Sequence, residues 1–248
     1  MARTTKQIIY GVVYLIILFG IIYLVYISFL KPVPSCFDKK QNQNETGVDC
    51  GGECAACIGD TKNISVSLSS IFFAKEPVAL VRLSNPNNQV GSKSIIYTVN
   101  VLDSGGSILK TFNGETFVYP GDQEKNLVFP LIGIQEARSL RVTLGSPKWI
   151  RIEEFSKPNI SFASTPKRIE NGHIIIEGDI TNNETLLFDN IDIGALFYGS
   201  SGALVGVSKT AVQTVRAFER RAFTIDFPFG NLDINLDATK FYFDALRP

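Results

Sequence analysis

The chain has 248 residues, and its 24 basic and 24 acidic side chains give a formal net charge of zero. A neutral chain lacks the excess positive charge of a nucleic-acid-binding protein, so we expect no nucleic acid among its partners. Its one histidine, His173, opens a predicted strand, and no G-x-S-x-G, H-E-x-x-H or phosphate-binding glycine loop occurs. The sequence therefore predicts neither a catalytic residue nor a cofactor, and we expect the chain not to be an enzyme.

The first feature along the chain is a long uncharged segment. After a short tail of residues 1–7, the 23 residues from Ile8 to Leu30 are uncharged and mostly apolar. As a helix they would extend about 34 Å, enough to cross a hydrocarbon core of about 30 Å. A cleaved signal peptide is the alternative, but its apolar region is normally about 7–15 residues long. We predict one transmembrane helix over residues 8–30, with the lipid bilayer as its partner.

The orientation of this helix is predicted from the residues that flank it. Basic side chains lie on both sides, so the excess of Lys and Arg on cytoplasmic loops does not decide. The N-terminal tail has only seven residues, and the cysteines follow directly on the other side. We therefore expect residues 1–7 in the cytoplasm and the C-terminal domains outside it.

Residues 31–60 are predicted to form a cysteine-rich stalk. They contain all four cysteines, Cys36, Cys50, Cys54 and Cys57, and few apolar residues. Such a segment cannot build a core, so cross-links or a metal must hold it. Two disulfides suit an oxidising compartment, and four cysteines allow three pairings. In a reducing compartment the Cys54-x-x-Cys57 spacing would instead favour zinc, and the nearby carboxylates offer a weaker alternative of calcium binding.

The cysteine segment also resembles a short module of secreted and membrane-anchored proteins, especially bacterial ones. The module has the pattern C-x-D-G-x-x-N-x-x-E-T-x-x-D-C-G-G-x-C-x-x-C, which residues 36–57 match except that Lys39 replaces the usual glycine. The resemblance implies a disulfide-bonded extracytoplasmic spacer and no catalysis.

From residue 63 onward the sequence has the pattern of β-strands and turns. Short runs of β-branched and aromatic residues are bounded by Asn, Pro, Gly and Asp, and no amphipathic helical stretch occurs. An internal repeat is also present, with offsets of 96 to 98 residues. The matching segments are 63–65 with 159–161, 83–85 with 180–182, 104–109 with 200–205, and 127–130 with 225–228.

The repeat predicts two tandem antiparallel immunoglobulin-like β-sandwiches, over residues 63–155 and 158–248. Each copy has the size of such a domain, and sheet-on-sheet packing would bury its short strands. The order of strands and turns resembles the small β-sandwich domains named for an F-x-L-Y-D motif. Residues 99–103 with Gly106, and 196–199 with Gly202, carry this resemblance. It implies extracytoplasmic interaction or spacer modules.

Two groups of residues in the second copy are candidates for an interaction surface. Phe241, Tyr242 and Phe243 cannot all face inward on one strand, so at least one must lie on an outer face or at an interface. Arg216, Arg220 and Arg221 form a basic cluster that is also typical of a solvated strand edge.

From these features we expect a non-enzymatic, membrane-anchored protein that mediates interaction or assembly in the cell envelope. The expected partner is an envelope protein. The alternative is a cell-wall glycan-binding or enzyme-accessory domain, which would need a flat, exposed aromatic platform.

Overall fold

A computed structural model describes residues 3–26, 35–54, 57, 61–164 and 167–248. The chain divides into two compact units, Met1–Cys57 and Ile58–Pro248, and each is described by itself.

The first unit begins with helix α1, Arg3–Val25. Its apolar side chains are exposed along its length, and its length and composition would allow it to cross a membrane. The helix starts five residues before the predicted span, because that span is limited to the uncharged run and so leaves out the segment that contains Arg3 and Lys6. Residues 27–30, the end of the predicted span, lie outside the described residues.

The second unit consists of antiparallel strands in two halves, which we call the N-half (β1–β7) and the C-half (β8–β14). In the N-half, one sheet has the order β1-β2-β5 and the other β4-β3-β6, with β7 also paired to β3. The strands are β1 Ser65–Phe73, β2 Pro77–Ser84, β3 Val90–Leu102, β4 Ile108–Val118, β5 Lys125–Pro130, β6 Ser139–Leu144 and β7 Trp149–Arg151.

The C-half repeats this arrangement. One sheet has the order β8-β10-β13, with β9 also paired to β10, and the other has the order β12-β11-β14. The strands are β8 Ile160–Ser164, β9 Arg168–Glu170, β10 His173–Asn182, β11 Phe188–Tyr198, β12 Leu204–Val215, β13 Arg220–Pro228 and β14 Asn235–Ala245.

Each half buries a core between its two sheets. In the N-half, Ala79, Val81 and Leu83 of β2 face Val99 and Val101 of β3. In the C-half, alternate isoleucines of β10 face the inner side of β11. The alternation along β10, where buried and half-buried residues follow one another, is the period expected of a strand with one face in a core.

Two buried asparagines hold the same turn in both halves. Asn85 donates through Nδ2 to the carbonyl oxygens of Val90 (2.8 Å) and Tyr119 (2.9 Å). Asn182, 97 residues later, donates to the carbonyl oxygens of Leu186 (2.7 Å) and Arg216 (2.9 Å). Each Oδ1 accepts from the backbone N–H two residues on. Both side chains are fully buried, so these bonds satisfy amides that could not reach water.

One matched segment of the predicted repeat is displaced by two residues. Phe129 of β5 lies opposite Ala79, and Ile225 of β13 lies opposite Ile176. In sequence, Ala79 precedes Asn85 by as many residues as Ile176 precedes Asn182, so Ala79 and Ile176 are equivalent positions. Their strand partners are then equivalent too, and the counterpart of Phe129 is Ile225 instead of Phe227. The shift by two keeps every side chain on its face, which explains why the sequence pattern did not reveal it.

The two halves pack against each other through an apolar cluster. The cluster joins the outer face of sheet β1-β2-β5 to the outer face of sheet β12-β11-β14. Val78, Leu80 and Val128 of the N-half meet Leu196 and Val207 of the C-half. Strand β2 is therefore buried on both faces over most of its length. The halves form one block, since separating them would expose this surface to water.

Candidate functional site

The cysteine segment contains the two predicted disulfides, and the structure selects one of the three pairings. Cys36 is bonded to Cys54, and Cys50 to Cys57. The bridges join positions 18 and 7 residues apart, so they close a long and a short loop. Gly51 and Gly52 have positive φ angles and lie against residues 43–46, where a Cβ atom would collide.

Glu45 organises the polar interior of this segment. Its side chain is buried, and Oε2 accepts from the backbone N–H groups of Asn42 (3.1 Å) and Asp49 (3.2 Å). The Sγ atoms of Cys36 and Cys54 lie with Glu45 in a group that could hold a metal ion. Both sulfurs are in a disulfide, however, and a metal would need them as thiolates. The geometry therefore favours cross-links over the zinc alternative.

The carboxylates considered for calcium also bind backbone groups. Asp49 accepts from the backbone N–H of Lys39 at 3.0 Å through both oxygens, and Asp38 accepts from the N–H of Lys40 at 2.9 Å. The pKa of Asp38 is lowered, mainly because the Asn42 side chain donates to its carboxylate. These carboxylates close turns in the segment.

Arg216 of the predicted basic cluster lies in the turn before β13, and Arg220 and Arg221 are the first two residues of β13. Arg216, Arg220 and Arg221 are exposed, and Arg220 binds Asp179 at 2.7 Å while Arg221 binds Glu219 at 3.4 Å. Each of the three cations thus has an acidic neighbour, since the Glu219 carboxylate also accepts from the backbone N–H of Arg216 at 2.8 Å and interacts with its charge. Whether this edge binds a partner stays a prediction.

The three consecutive aromatic residues of β14 lie between the C-half core and the interface. Phe241 and Phe243 pack against the C-half core, and Tyr242 packs against the apolar cluster between the halves. Gly194 makes room for the Tyr242 ring, since a Cβ atom there would collide with the ring. All three side chains are half-buried. The outward-facing member meets another part of the same chain, which leaves little aromatic surface for a partner.

A buried ion pair links the halves beside this cluster. Nζ of Lys125, on β5, lies 3.3 Å from Oδ1 of Asp244, on β14, and the two side chains are 4% and 13% exposed. Lys125 also lies over the ring of Phe117, 3.5 Å from its centroid. Burial lowers the pKa of Lys125 and raises the pKa of Asp244, although each charge favours the ionised form of the other.

Tyr119 makes a second polar link between the halves. Its hydroxyl donates to the carbonyl oxygen of Ala245 (2.6 Å) and accepts from the backbone N–H of Arg247 (2.9 Å). Phe155 stacks on the Tyr119 ring with centroids 4.4 Å apart. Burial raises the pKa of Tyr119, so its hydroxyl remains a donor. Phe155 lies between β7 and β8, where the N-half connects to the C-half, so this stack fixes the start of that connection.

A cleft of about 360 Å³ opens beside the ion pair, and residues of both halves line it. Lys125 and Asp244 lie at its wall, and Lys209 and Asp192 form a second pair there at 3.3 Å. Tyr97, Phe117 and Phe129 contribute aromatic rings to its lining, and among the described lining residues the other charged side chains are those of Glu115 and Asp189. A concave site at a domain interface with several polar groups is a typical place for a ligand.

Comparisons with known proteins assign no family to this chain. No protein-family model and no curated protein matches it. A solved structure of red sea bream transglutaminase matches with 12% identity and a TM-score of 0.23, over 73% of this chain and 31% of that one. A similarity of that degree carries no argument about fold or function.

Sequence reasoning missed the cleft and its ion pair. Lys125 and Asp244 are 119 residues apart, and neither belongs to a motif. A signal for the interface was present in β2, whose continuous apolar run Val78-Ala79-Leu80-Val81 is typical of a strand buried on both faces.

Proposed function

We propose that this protein is a membrane-anchored, non-enzymatic interaction or assembly module that acts outside the cytoplasm. The helix α1 anchors it, the disulfide-bonded segment follows as a spacer, and two tandem immunoglobulin-like sandwiches present the binding surface. The shared strand order and the paired asparagine networks support the tandem arrangement. The disulfides support an oxidising compartment.

The observation that carries this proposal is the fixed packing of the two halves. An apolar cluster, a buried ion pair and the Tyr119 hydrogen bonds all join them. A block of this kind holds surfaces from both halves in constant geometry, which lowers the entropic cost of binding a partner. The two buried charged side chains of the cleft, Lys125 and Asp244, form an ion pair with each other. The cleft therefore suits binding of a partner better than proton transfer to a substrate.

The alternative of glycan binding has less support. It depends on an exposed aromatic platform around Phe241, Tyr242 and Phe243, and these side chains are half-buried against the core and the interface.

Two experiments test the proposal in cells that express the full chain. Protease added to intact cells or spheroplasts should digest the Ile58–Pro248 unit, and protection until the membrane is broken would reverse the orientation. Cross-linking followed by mass spectrometry should recover the same envelope proteins in independent preparations. Recovery of none, together with binding of the purified chain to wall glycan or turnover of a substrate, would overturn the proposal.

A further inference from the structure

We propose that the cleft between the halves binds an arginine side chain of a protein partner, an inference that rests on the proposed function. The charge of the cleft is the first reason. Its two lysines each pair with an aspartate, Lys125 with Asp244 and Lys209 with Asp192. The other two carboxylates that line it, Glu115 and Asp189, add two negative charges.

These two carboxylates are free to bind a cation. Glu115 belongs to β4 of the N-half and Asp189 to β11 of the C-half, and both side chains are exposed. Within the part of the chain that the structure describes, neither has a hydrogen-bond or ion-pair partner. One carboxylate thus comes from each half, and the fixed packing of the halves holds them in one cleft.

Exposed apolar surface in the same cleft is the second, independent reason. Leu187 is 45% exposed and Leu246 is 43% exposed, and both line the cleft. Tyr97 adds aromatic surface, whereas one face of the Phe117 ring is covered by Lys125. Apolar surface beside unpaired carboxylates complements a long side chain that has a methylene stem and a cationic end.

Arginine fits this combination better than lysine. Its planar guanidinium carries five donors and can bind two carboxylates at once, and it stacks on aromatic rings. The cleft, at about 360 Å³, is at the small end of ligand sites, which suits one side chain with its adjacent backbone.

The test uses the full chain in detergent micelles with ¹³C-labelled leucine methyl groups. N-acetyl-arginine methylamide is the probe, and the citrulline compound of the same shape is its uncharged control. We expect the arginine probe to shift the Leu187 and Leu246 methyl signals with saturation. The citrulline probe should bind at least tenfold more weakly, and raising the salt from 50 to 500 mM should weaken arginine binding several-fold.

Matched variants locate the site. The double variant E115Q/D189N should weaken arginine binding at least tenfold. The variant E136Q/D237N removes two exposed charges outside the cleft and should change it less than twofold. Equal binding of the citrulline probe, or equal losses in both variants, would overturn the inference. Tighter binding of the corresponding lysine probe would overturn the choice of arginine. If the probe fails while cross-linking still recovers an envelope protein, the proposed function stands and only the cleft is wrong.

Discussion

Removing one partner of the Lys125–Asp244 pair should destabilise the protein far more than removing both. At 3.3 Å, an attraction between unit charges with an effective dielectric constant of about 20 is worth about 5 kcal/mol. Burial opposes it, since desolvation is the largest cause of both pKa shifts. Lys125→Met would leave a buried carboxylate and Asp244→Leu a buried ammonium, and we expect each to cost about 3–5 kcal/mol. The double variant should lie within about 1 kcal/mol of the parent, or above it.

The assay is urea denaturation of the full chain in a non-ionic detergent, followed by the fluorescence of Trp149, the only tryptophan. The exposed ion pairs of Arg168 with Glu170 and Glu177, whose side chains are 51%, 56% and 45% exposed, serve as the control. Removing both pairs with R168M/E170Q should change stability by less than about 1 kcal/mol. If the double variant K125M/D244L lost as much stability as the two single variants together, the two charges would not be coupled and the reasoning would fail.

The same pair should leave a signature in the pH dependence. Burial raises the pKa of Asp244 above its ordinary value of 3.8, so the folded state holds this proton more tightly than the unfolded state. The contribution of this carboxyl to stability should therefore fall as the pH rises from 3.8 through the folded pKa. Denaturation curves at several pH values should show that K125M/D244L gains stability relative to the parent over that range. A difference that does not change with pH would contradict the raised pKa.

Three further predictions concern other parts of the chain. Replacing Asn85 or Asn182 with Ala should cost about 2–4 kcal/mol in urea denaturation. Asn85 loses four hydrogen bonds and Asn182 loses three, and each replacement leaves buried carbonyl groups without a partner. Unchanged stability would contradict the shared role. Phe218 has φ 58° and is 66% exposed, so Phe218→Gly should stabilise the protein by about 0.5–1 kcal/mol, measured in the same way, and a loss would show that the ring makes a needed contact. Peptide mapping without reduction should find Cys36 linked to Cys54 and Cys50 to Cys57. Replacing each pair with serine should destabilise the cysteine segment by about 3 and about 2.5 kcal/mol, seen as earlier loss of amide-exchange protection.

Much of the fold could be predicted because its signals are local. The uncharged run before Leu30, the cysteine spacing and the alternation of side chains in β10 each indicate an element within a short stretch of chain. The asparagines at 85 and 182 marked the repeat because a buried amide that closes a turn has few substitutes. The pairing of the cysteines could not be predicted, since spacing alone does not distinguish three pairings.

The candidate site could not be predicted, because the packing of the halves creates it. Glu115 and Asp189 are ordinary exposed residues of two strands 74 positions apart. The aromatic run of residues 241–243 did indicate an interface, because consecutive residues of a strand point to opposite faces of the sheet. That interface lies within the chain, against the other half, and the sequence could not say which surface Tyr242 would meet.

The packing of the halves joins two different faces, which is the heterologous geometry that can in principle continue from copy to copy into a filament. In this protein the packing does not continue beyond the two halves. The outer sheet faces that would form the next contact lack the apolar residues of the cluster. Leu80 and Val128 are paired across β2 and β5 in the apolar cluster, and their counterparts on the free face of the C-half are Glu177 and Thr224.

The outer face of sheet β4-β3-β6 in the N-half also has polar residues in place of the apolar ones. Leu196 and Val207 are paired across β11 and β12, and their counterparts in the N-half are Asn100 and Thr111. Thr111 donates to the Asn100 side chain at 2.7 Å, so this pair satisfies itself and offers no apolar surface. A third copy would have to bury a carboxylate against an amide. The repeat is thus limited to two members, which keeps the protein from polymerising through the contact that holds its halves together.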